Sequence, residues 1–308
     1  MTQNIGLAVA LTVLASIALA VASVVQHLAV GDAATPGGEK LSGRQLLTVV
    51  KNPRWLGGLA LTGVGAALQV TALLLAPVTV VQPIGVLAVP WTILLAARIH
   101  KAPITPKLWG ATALTVIGTA AFAWVAIGHA APSPVLNDRW LVQGTLAGFG
   151  VAALLALAGS RGPLQWRCLS WSAAAAVIYG SESGVVKAIG HYTTSRVWAS
   201  SPTFWFLAAS IGAGALLAGI WIQQGYASGP AEIVVGTLNA AGPVAGVAYG
   251  IAVLGEGVNI SAFAAVRMLL FAAIAIAGVV LLSQFHPGST PRHGESESTS
   301  PESVEPTP

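Results

Sequence analysis

Charged residues are scarce in this chain: of its 308 residues only 8% are Asp, Glu, Lys or Arg, whereas 55% are hydrophobic. With a mean hydropathy of +0.77, this composition lies outside the range of soluble domains and excludes the soluble enzyme folds. A single cysteine, Cys168, excludes an internal disulfide framework and any zinc or iron–sulfur site built on cysteines. The composition predicts a polytopic membrane protein.

Sequence motifs of catalysis are also absent. The chain has no Walker loop, no nucleophile elbow and no metalloprotease motif. We therefore expect no enzyme activity, no catalytic residues, no cofactor and no metal site. The formal net charge of +4 comes from basic residues in short loops between apolar stretches, so we expect a lipid bilayer and not nucleic acid as the partner.

Apolar stretches of roughly 20 residues, the length that crosses the hydrocarbon core, predict nine transmembrane helices in an all-α fold. Lys and Arg gather in the loops on one side of this arrangement. The positive-inside rule then places the N-terminus outside and the C-terminus in the cytoplasm of a cell-membrane protein. The predicted spans are 5–29, 55–76, 78–99, 108–127, 141–158, 168–190, 203–224, 230–254 and 262–284.

Two segments outside the spans have their own patterns. Ser42 and Gln45 have the spacing of a capping box, followed by apolar residues up to Asn52-Pro53. This predicts a short helix near 42–52 on the cytoplasmic interface, acting as an anchor or a gate. The tail at 286–308 is rich in Ser, Thr, Pro and Glu and is predicted to be disordered.

An internal repeat relates the two halves of the chain. A shift of 153 positions superposes Pro77 on Pro230 and Pro90 on Pro243. The matching spans are five apart, so they cross the bilayer in opposite directions and predict an inverted-topology repeat. We expect four helices in the first repeat, 1–136, and five in the second, 137–285. Such repeats are the usual basis of alternating access, which favours a transporter.

Residues that break helices occur at corresponding places in the two repeats. They are Pro83 and Pro90 in the third span, and Gly236 and Pro243 in the eighth. Proline removes an amide donor and leaves a carbonyl of the preceding turn in need of a partner. Interrupted helices at corresponding positions point to a substrate site near the bilayer midplane, although a packing kink is the open alternative.

Glu182 is the main candidate for a functional charge inside the membrane. It lies near the middle of the sixth span, in the segment Tyr179 to Gly184. A carboxylate at this depth is costly, so it should face a cavity, find a partner or carry a proton. We expect Glu182 to bind a coupling proton or a cationic substrate; a structural carboxyl group bonded to a neighbouring helix is the alternative.

Uncharged polar and aromatic side chains at membrane depth are the other candidates for substrate binding. Such groups either join helices or contact a polar ligand, and the pattern leaves both open. The spacing from Gly214 to Ala218 allows close helix contact within one chain or between chains, so a homodimer stays open. The candidate residues are Gln69, Gln82, Trp91, Tyr179 and Asn239.

Two stretches resemble the drug/metabolite transporter superfamily. They are Ala72 to Ala97, which opens Ala-Leu-Leu-Leu-Ala-Pro-Val, and Gln224 to Glu256, which closes on Val-Leu-Gly-Glu. A small-residue helix, a tight turn with proline, a proline-interrupted helix and a closing Gly-Glu look like the EamA-type repeat. The resemblance covers nearly the whole chain except the tail, and it implies a secondary transporter.

Within that superfamily the first half looks closest to NIPA-type magnesium transporters, through the run from Ala76 to Gly85. The second half departs from them, because Glu182 stands where small or hydroxyl residues are expected. We therefore expect proton-coupled transport of a small organic solute, by export rather than uptake. The alternatives are a NIPA-like magnesium or divalent-cation transporter, a lipid translocase, and a membrane scaffold without transport activity.

Overall fold

The structure is a computed structural model, and it describes residues 5–34, 41–75, 84–101, 104–129, 136–193 and 198–285. The regular elements in these ranges are all helical. Two short 3₁₀ helices, Trp198–Ser200 and Glu256–Asn259, lie between longer ones. The α-helices are α1 (Ile5–Gly31), α2 (Gly43–Lys51), α3 (Pro53–Leu75), α4 (Ala88–His100), α5 (Pro106–His129), α6 (Asp138–Arg161), α7 (Leu164–Thr193), α8 (Pro202–Ser228), α9 (Ala231–Ala252) and α10 (Ala262–Phe285).

Seven of the helices in the described ranges are long and apolar enough to cross a membrane: α1, α3, α5, α6, α8, α9 and α10. The chain is therefore a multi-pass membrane protein. Helix α7, with 30 residues, is long enough but less apolar, because it carries Glu182, Lys187 and several serines. Helix α4 is described over 13 residues only. The prediction of nine spans is thus confirmed for seven of them.

The predicted capping box forms. The Ser42 hydroxyl accepts a hydrogen bond from the Gln45 amide at 3.4 Å, and the Gln45 side chain accepts one from the Ser42 amide at 2.8 Å. These bonds start α2, and Asn52 ends it directly before Pro53 opens α3. The short helix predicted near 42–52 is confirmed. The predicted tail, Gln82 and Pro83 lie outside the described residues.

The predicted helix breaks differ between the two predicted repeats. In the first, the chain turns at Val86 and Leu87, and Pro90 stands in the first turn of α4, where a missing amide costs no helical hydrogen bond. In the second, α9 continues through Gly236 and Pro243 without interruption. Proline removes one backbone hydrogen bond of a helix, and the residues on both sides of Pro243 remain helical.

Helix α9 lies at the centre of the bundle and contacts α4, α5, α7 and α10. Around it, α1 packs along α3, α7 packs along α6 and α8, and α5 packs along α10. Contact pairs show the directions: Gly118 of α5 lies against Ala275 of α10, and Gly278 lies against Thr115. Residue numbers rise on one helix as they fall on the other, so α5 and α10 are antiparallel.

Glycines allow α7 and α9 to approach closely. A Cβ atom on Gly180 would lie 2.3 Å from the carbonyl oxygen of Gly242, and one on Gly184 would lie 2.4 Å from the Tyr249 ring. Helices in membranes associate through small residues of this kind, because lipid tails give apolar side chains no reason to prefer protein. The glycine contact therefore fixes the position of Tyr179 on α7 relative to α9.

Candidate functional site

A cavity of about 670 Å³ lies between α1, α3, α4 and α5 on one side and α7, α8 and α9 on the other. This volume is in the range of sites for drug-sized molecules. Along α3 the cavity extends from Trp55 to Gln69, roughly 21 Å at the helical rise per residue. Most of a bilayer's hydrocarbon thickness therefore separates its two ends.

Four residues proposed from the sequence meet at this cavity: Gln69 on α3, Tyr179 on α7, and Asn239 and Pro243 on α9. No Asp, Glu, Lys, Arg or His side chain lines it among the described residues. Aliphatic side chains dominate the remaining wall. The other polar residues of the lining are Ser23, Gln26, Trp55, Thr62, Thr119, Gln223 and Tyr226.

Asn239 and Pro243 form one feature of the cavity wall. Proline has no amide hydrogen, so Pro243 cannot make the helical hydrogen bond to the carbonyl of Asn239, four residues earlier. The Asn239 side chain turns back along the helix, with its amide nitrogen donating to the carbonyl of Val235 at 2.9 Å. The Asn239 side-chain nitrogen is thereby bound to its own helix, one turn before the proline.

Two buried polar atoms in the lining have no hydrogen-bond partner: Oε1 of Gln69 and Oγ1 of Thr119. Gln69 lies against Gly85, where an added Cβ atom would be 3.2 Å from Nε2. Thr119 is only 2% exposed. Buried polar groups normally have partners, so both atoms are candidates for hydrogen bonds to a ligand.

Thr119 was missed by the sequence analysis. A threonine in a membrane helix usually bonds to a carbonyl of its own preceding turn. Thr112 and Thr115 on α5 do so, donating to Leu108 at 2.7 Å and Ala111 at 3.0 Å. The one signal was the spacing of three threonines along a single face of α5, which the apolar composition around them obscured.

Glu182 does not line the cavity. Its Oε1 is buried without a hydrogen-bond partner and lies against α8, so close that a Cβ atom on Gly214 would be 2.0 Å away. Glu182 stands one turn after Tyr179, which does line the cavity. The carboxyl group of Glu182 therefore lies one helical turn of α7 away from a residue that lines the cavity.

Trp91 and Gly236 lie elsewhere. Trp91 lines a separate pocket between α1 and α4 with Ile17 and Arg98, and its indole nitrogen is buried without a partner. Gly236 packs against Val279 and Leu282 of α10. The cavity therefore brings together one half of the residues predicted for substrate binding, and Trp91 is not among them.

A chain of hydrogen bonds closes the cavity beside α2. The Trp55 indole donates to Gln223 at 2.9 Å, Gln223 donates to Gln26 at 3.3 Å, and Gln26 donates to Thr62 at 3.0 Å. All three helices α1, α3 and α8 take part. Because uncharged amides are both donors and acceptors, the network satisfies its groups without burying a charge.

Gln224 attaches the segment before α2 to the bundle. Its side-chain carbonyl accepts from the Leu41 amide at 2.7 Å, and its amide donates to the Leu41 carbonyl at 3.0 Å. Helix α2 follows, with Leu46 and Val50 lining the cavity and Val49 fully buried. Gln224 thus holds α2 over one end of the cavity.

Replacing Gln224 by leucine should release α2, because it leaves both backbone groups of the buried Leu41 without partners. Two neutral hydrogen bonds together contribute about 2 kcal/mol, which corresponds to a change of roughly 30-fold in the opening equilibrium. We expect maleimide labelling of Val49→Cys, in a Cys168→Ala background, to accelerate at least tenfold. Gln143→Leu, at an exposed glutamine of α6, is the matched control; equal labelling rates in the two variants would contradict the role of Gln224.

Groups of three or more His, Cys, Asp or Glu that could hold a metal ion are absent from the part of the chain that the structure describes. The cavity offers hydrogen-bonding groups and apolar surface instead, which suit an organic molecule. Comparison with known proteins adds no relative: no family model, curated protein or solved structure matches the chain.

Proposed function

We propose that the protein is a secondary transporter that moves a small organic solute across the cell membrane by alternating access. The observation that carries this proposal is the cavity at membrane depth between the two groups of helices, with Gln69, Tyr179 and Asn239 in its wall. A scaffold protein would be expected to use such polar groups in tight helix contacts. Here Gln69 and Thr119 line the cavity, and each has a buried side-chain oxygen without a hydrogen-bond partner.

The pattern of helix contacts supports two inverted halves. In the repeat, α1, α3, α4 and α5 correspond to α7, α8, α9 and α10. Helix α1 packs along α3 as α7 packs along α8, and α4 contacts its own counterpart α9. The antiparallel packing of α5 on α10 is what a two-fold axis in the membrane plane would produce. Halves related in this way can exchange conformations and so exchange the open side.

The cavity chemistry favours an organic solute over Mg²⁺. Magnesium binds through carboxylates and several retained waters. The lining has no carboxylate among the described residues, and its wall is mostly aliphatic. The NIPA-like alternative therefore has no observation in its favour at this site.

We further propose that Glu182 carries the coupling proton and that the solute is exported. The protonated, neutral side chain of Glu182 can be buried against Gly214 at a far lower free-energy cost than the carboxylate. We therefore expect Glu182 to take up a proton when it packs against Gly214. Tyr179 connects the two sites, because it lies one turn from Glu182 and lines the cavity. The orientation with α2 in the cytoplasm stays a prediction.

Flux in proteoliposomes tests this proposal. The vesicles hold a pH-sensitive dye and a magnesium indicator, and are given a panel of neutral metabolites, cationic dyes and Mg²⁺. We expect solute-dependent proton movement in the wild type and its loss in Glu182→Gln, which keeps the shape of the side chain but cannot release a proton. Glu256→Gln is the control, because Glu256 pairs with Lys187 at the exposed end of α7.

The outcomes separate the candidate functions. Mg²⁺ entry without proton movement would mean that the substrate is a divalent cation and not an organic solute. Solute flux that is unchanged in Glu182→Gln would mean that the protein is a transporter whose mechanism does not use a proton on Glu182. No movement of any probe under any gradient would contradict transport.

A further inference from the structure

The wall of the cavity is incomplete between α3 and α8. These helices pack little against each other, and the bond between Trp55 and Gln223 joins them near α2. Further along, Leu59, Leu216 and Ile220 line the cavity yet are 46%, 72% and 41% exposed. These three side chains therefore mark one opening of the cavity, which we call its mouth; Val50 on α2 and Tyr179 on α7 also line the cavity and are 47% and 42% exposed.

This mouth lies at the depth of the hydrocarbon core. Leu216 is twelve residues from the end of α8, roughly 18 Å along the helix, and both helices are long apolar spans. The described side chains at the mouth are aliphatic, so lipid tails and not water would meet them. The cavity is therefore open towards the bilayer between α3 and α8.

The inner part of the cavity has uncharged hydrogen-bonding groups. Oε1 of Gln69 is an acceptor, and Oγ1 of Thr119 accepts as well as donates. A charged ligand would find no counter-charge among the described lining residues. Burying an unpaired charge is far more costly than burying a hydroxyl group that has a partner.

We propose that the cavity binds an uncharged amphiphile that enters from the bilayer between α3 and α8. Its hydroxyl or amide groups bond to Gln69 and Thr119, and its apolar part lies along Leu216 and Ile220. This inference names the substrate class of the transporter proposed above and rests on that function for its biological meaning. The volume of about 670 Å³ admits a molecule of drug-like size.

Equilibrium binding in lipid nanodiscs tests the chemical class without any flux. Three radiolabelled probes share a ten-carbon chain and differ in charge: monodecanoylglycerol is neutral, decanoate is an anion and decyltrimethylammonium is a cation. We expect saturable binding of monodecanoylglycerol, and at least tenfold weaker binding of both charged probes. Gln69→Leu and Thr119→Val should each weaken binding of the neutral probe by about fivefold to tenfold, the effect of one neutral hydrogen bond.

Thr71→Val is the matched control for both variants. Thr71 is an exposed residue of α3 two positions from Gln69, it bonds to its own helix, and it does not line the cavity. The unfolding temperature of each variant is measured first and must equal that of the wild type. A charged probe that binds as tightly as the neutral one would overturn the inference. So would binding that is indifferent to both Gln69→Leu and Thr119→Val.

The route of entry has a separate test. In a Cys168→Ala background, Leu216→Cys labelled with a bulky maleimide in detergent, before transfer to nanodiscs, should slow association of monodecanoylglycerol at least tenfold. Leu154→Cys labelled in the same way, on α6 and 68% exposed away from the cavity, should not. Equal association rates would contradict entry between α3 and α8.

The two proposals can fail independently. Binding of monodecanoylglycerol without any flux would contradict the transport function and support the ligand class. Flux of a water-soluble charged solute, without binding of monodecanoylglycerol, would support the transport function and contradict the ligand class.

Discussion

Gly180→Ala should lower the apparent unfolding temperature of the detergent-solubilised protein by roughly 5 °C or more. The added Cβ atom would lie 2.3 Å from the carbonyl oxygen of Gly242 and 2.7 Å from the Cβ of Ala245. Backbone atoms of a packed helix cannot turn aside as a flexible side chain can. Overpacking of this kind costs about 1–3 kcal/mol, and each kcal/mol lowers the unfolding temperature of a chain of similar size by roughly 2–4 °C.

The fluorescence of the ten tryptophans reports the transition. Gly190→Ala is the control, because Gly190 belongs to the same helix α7 and an added Cβ atom there has nothing within 4 Å. Alanine favours helix over glycine by up to about 1 kcal/mol, so this variant should unfold at the same or a slightly higher temperature. Equal behaviour of the two variants would mean that α7 and α9 are not packed as described.

This contact has consequences for the site as well as for stability. Tyr179 precedes Gly180 on α7, and Asn239 and Pro243 stand on the facing stretch of α9. The contact between Gly180 of α7 and Gly242 of α9 therefore sets the width of the cavity between these residues. If the cavity opens alternately to the two sides of the membrane, α7 and α9 must either move together or rotate about this contact.

Local sequence patterns were enough to predict most of the helices. Apolar length predicted the seven spans that the structure confirms, and the capping box of Ser42 and Gln45 predicted α2, because both signals act within one element. Gln69, Tyr179 and Asn239 were identified as site candidates because a polar side chain in an apolar span must find either a neighbour or a ligand. In the structure Gln69 lines the cavity that the three residues share, and its Oε1 has no hydrogen-bond partner among the described residues.

Contacts between distant elements could not be predicted in the same way. Gln26 and Gln223 are 197 residues apart in the chain, and no local pattern pairs them. Lys187 forms an ion pair with Glu256, 69 positions away, and no local pattern pairs these two residues either. The helical period shows which residues share a face of α7, but not that Glu182 meets α8.

The site of Glu182 follows from a small residue on its neighbour. Gly214 leaves the space into which the carboxyl group fits, and the sequence offered that glycine only as one member of a small-residue pair with Ala218. The proton site that we propose at Glu182 lies beside the cavity and not within it, so proton and solute could be bound at the same time. Coupling would then pass through the position of α7, which carries Glu182 and Tyr179.

If the protein works by alternating access, a residue in the cavity wall must be reachable from each side of the membrane in turn. Ala123 is a small residue of α5 in the cavity wall, so Ala123→Cys in a Cys168→Ala background places one reactive thiol at the site. We expect an impermeant maleimide to reach it from either side of oriented vesicles. Leu154→Cys, which faces away from the cavity, is the control and should stay unlabelled from both sides.

The reciprocal change in access tests the central claim most directly. Adding Gln224→Leu to Ala123→Cys releases α2 and stabilises the conformation that is open on its side. In a transporter with two exclusive conformations, the population gained by one is lost by the other. Labelling of Ala123→Cys should then rise severalfold from the α2 side and fall by a similar factor from the opposite side. Labelling that rises from the α2 side with no fall on the other would show an open pore or a passive crevice, and would contradict alternating access.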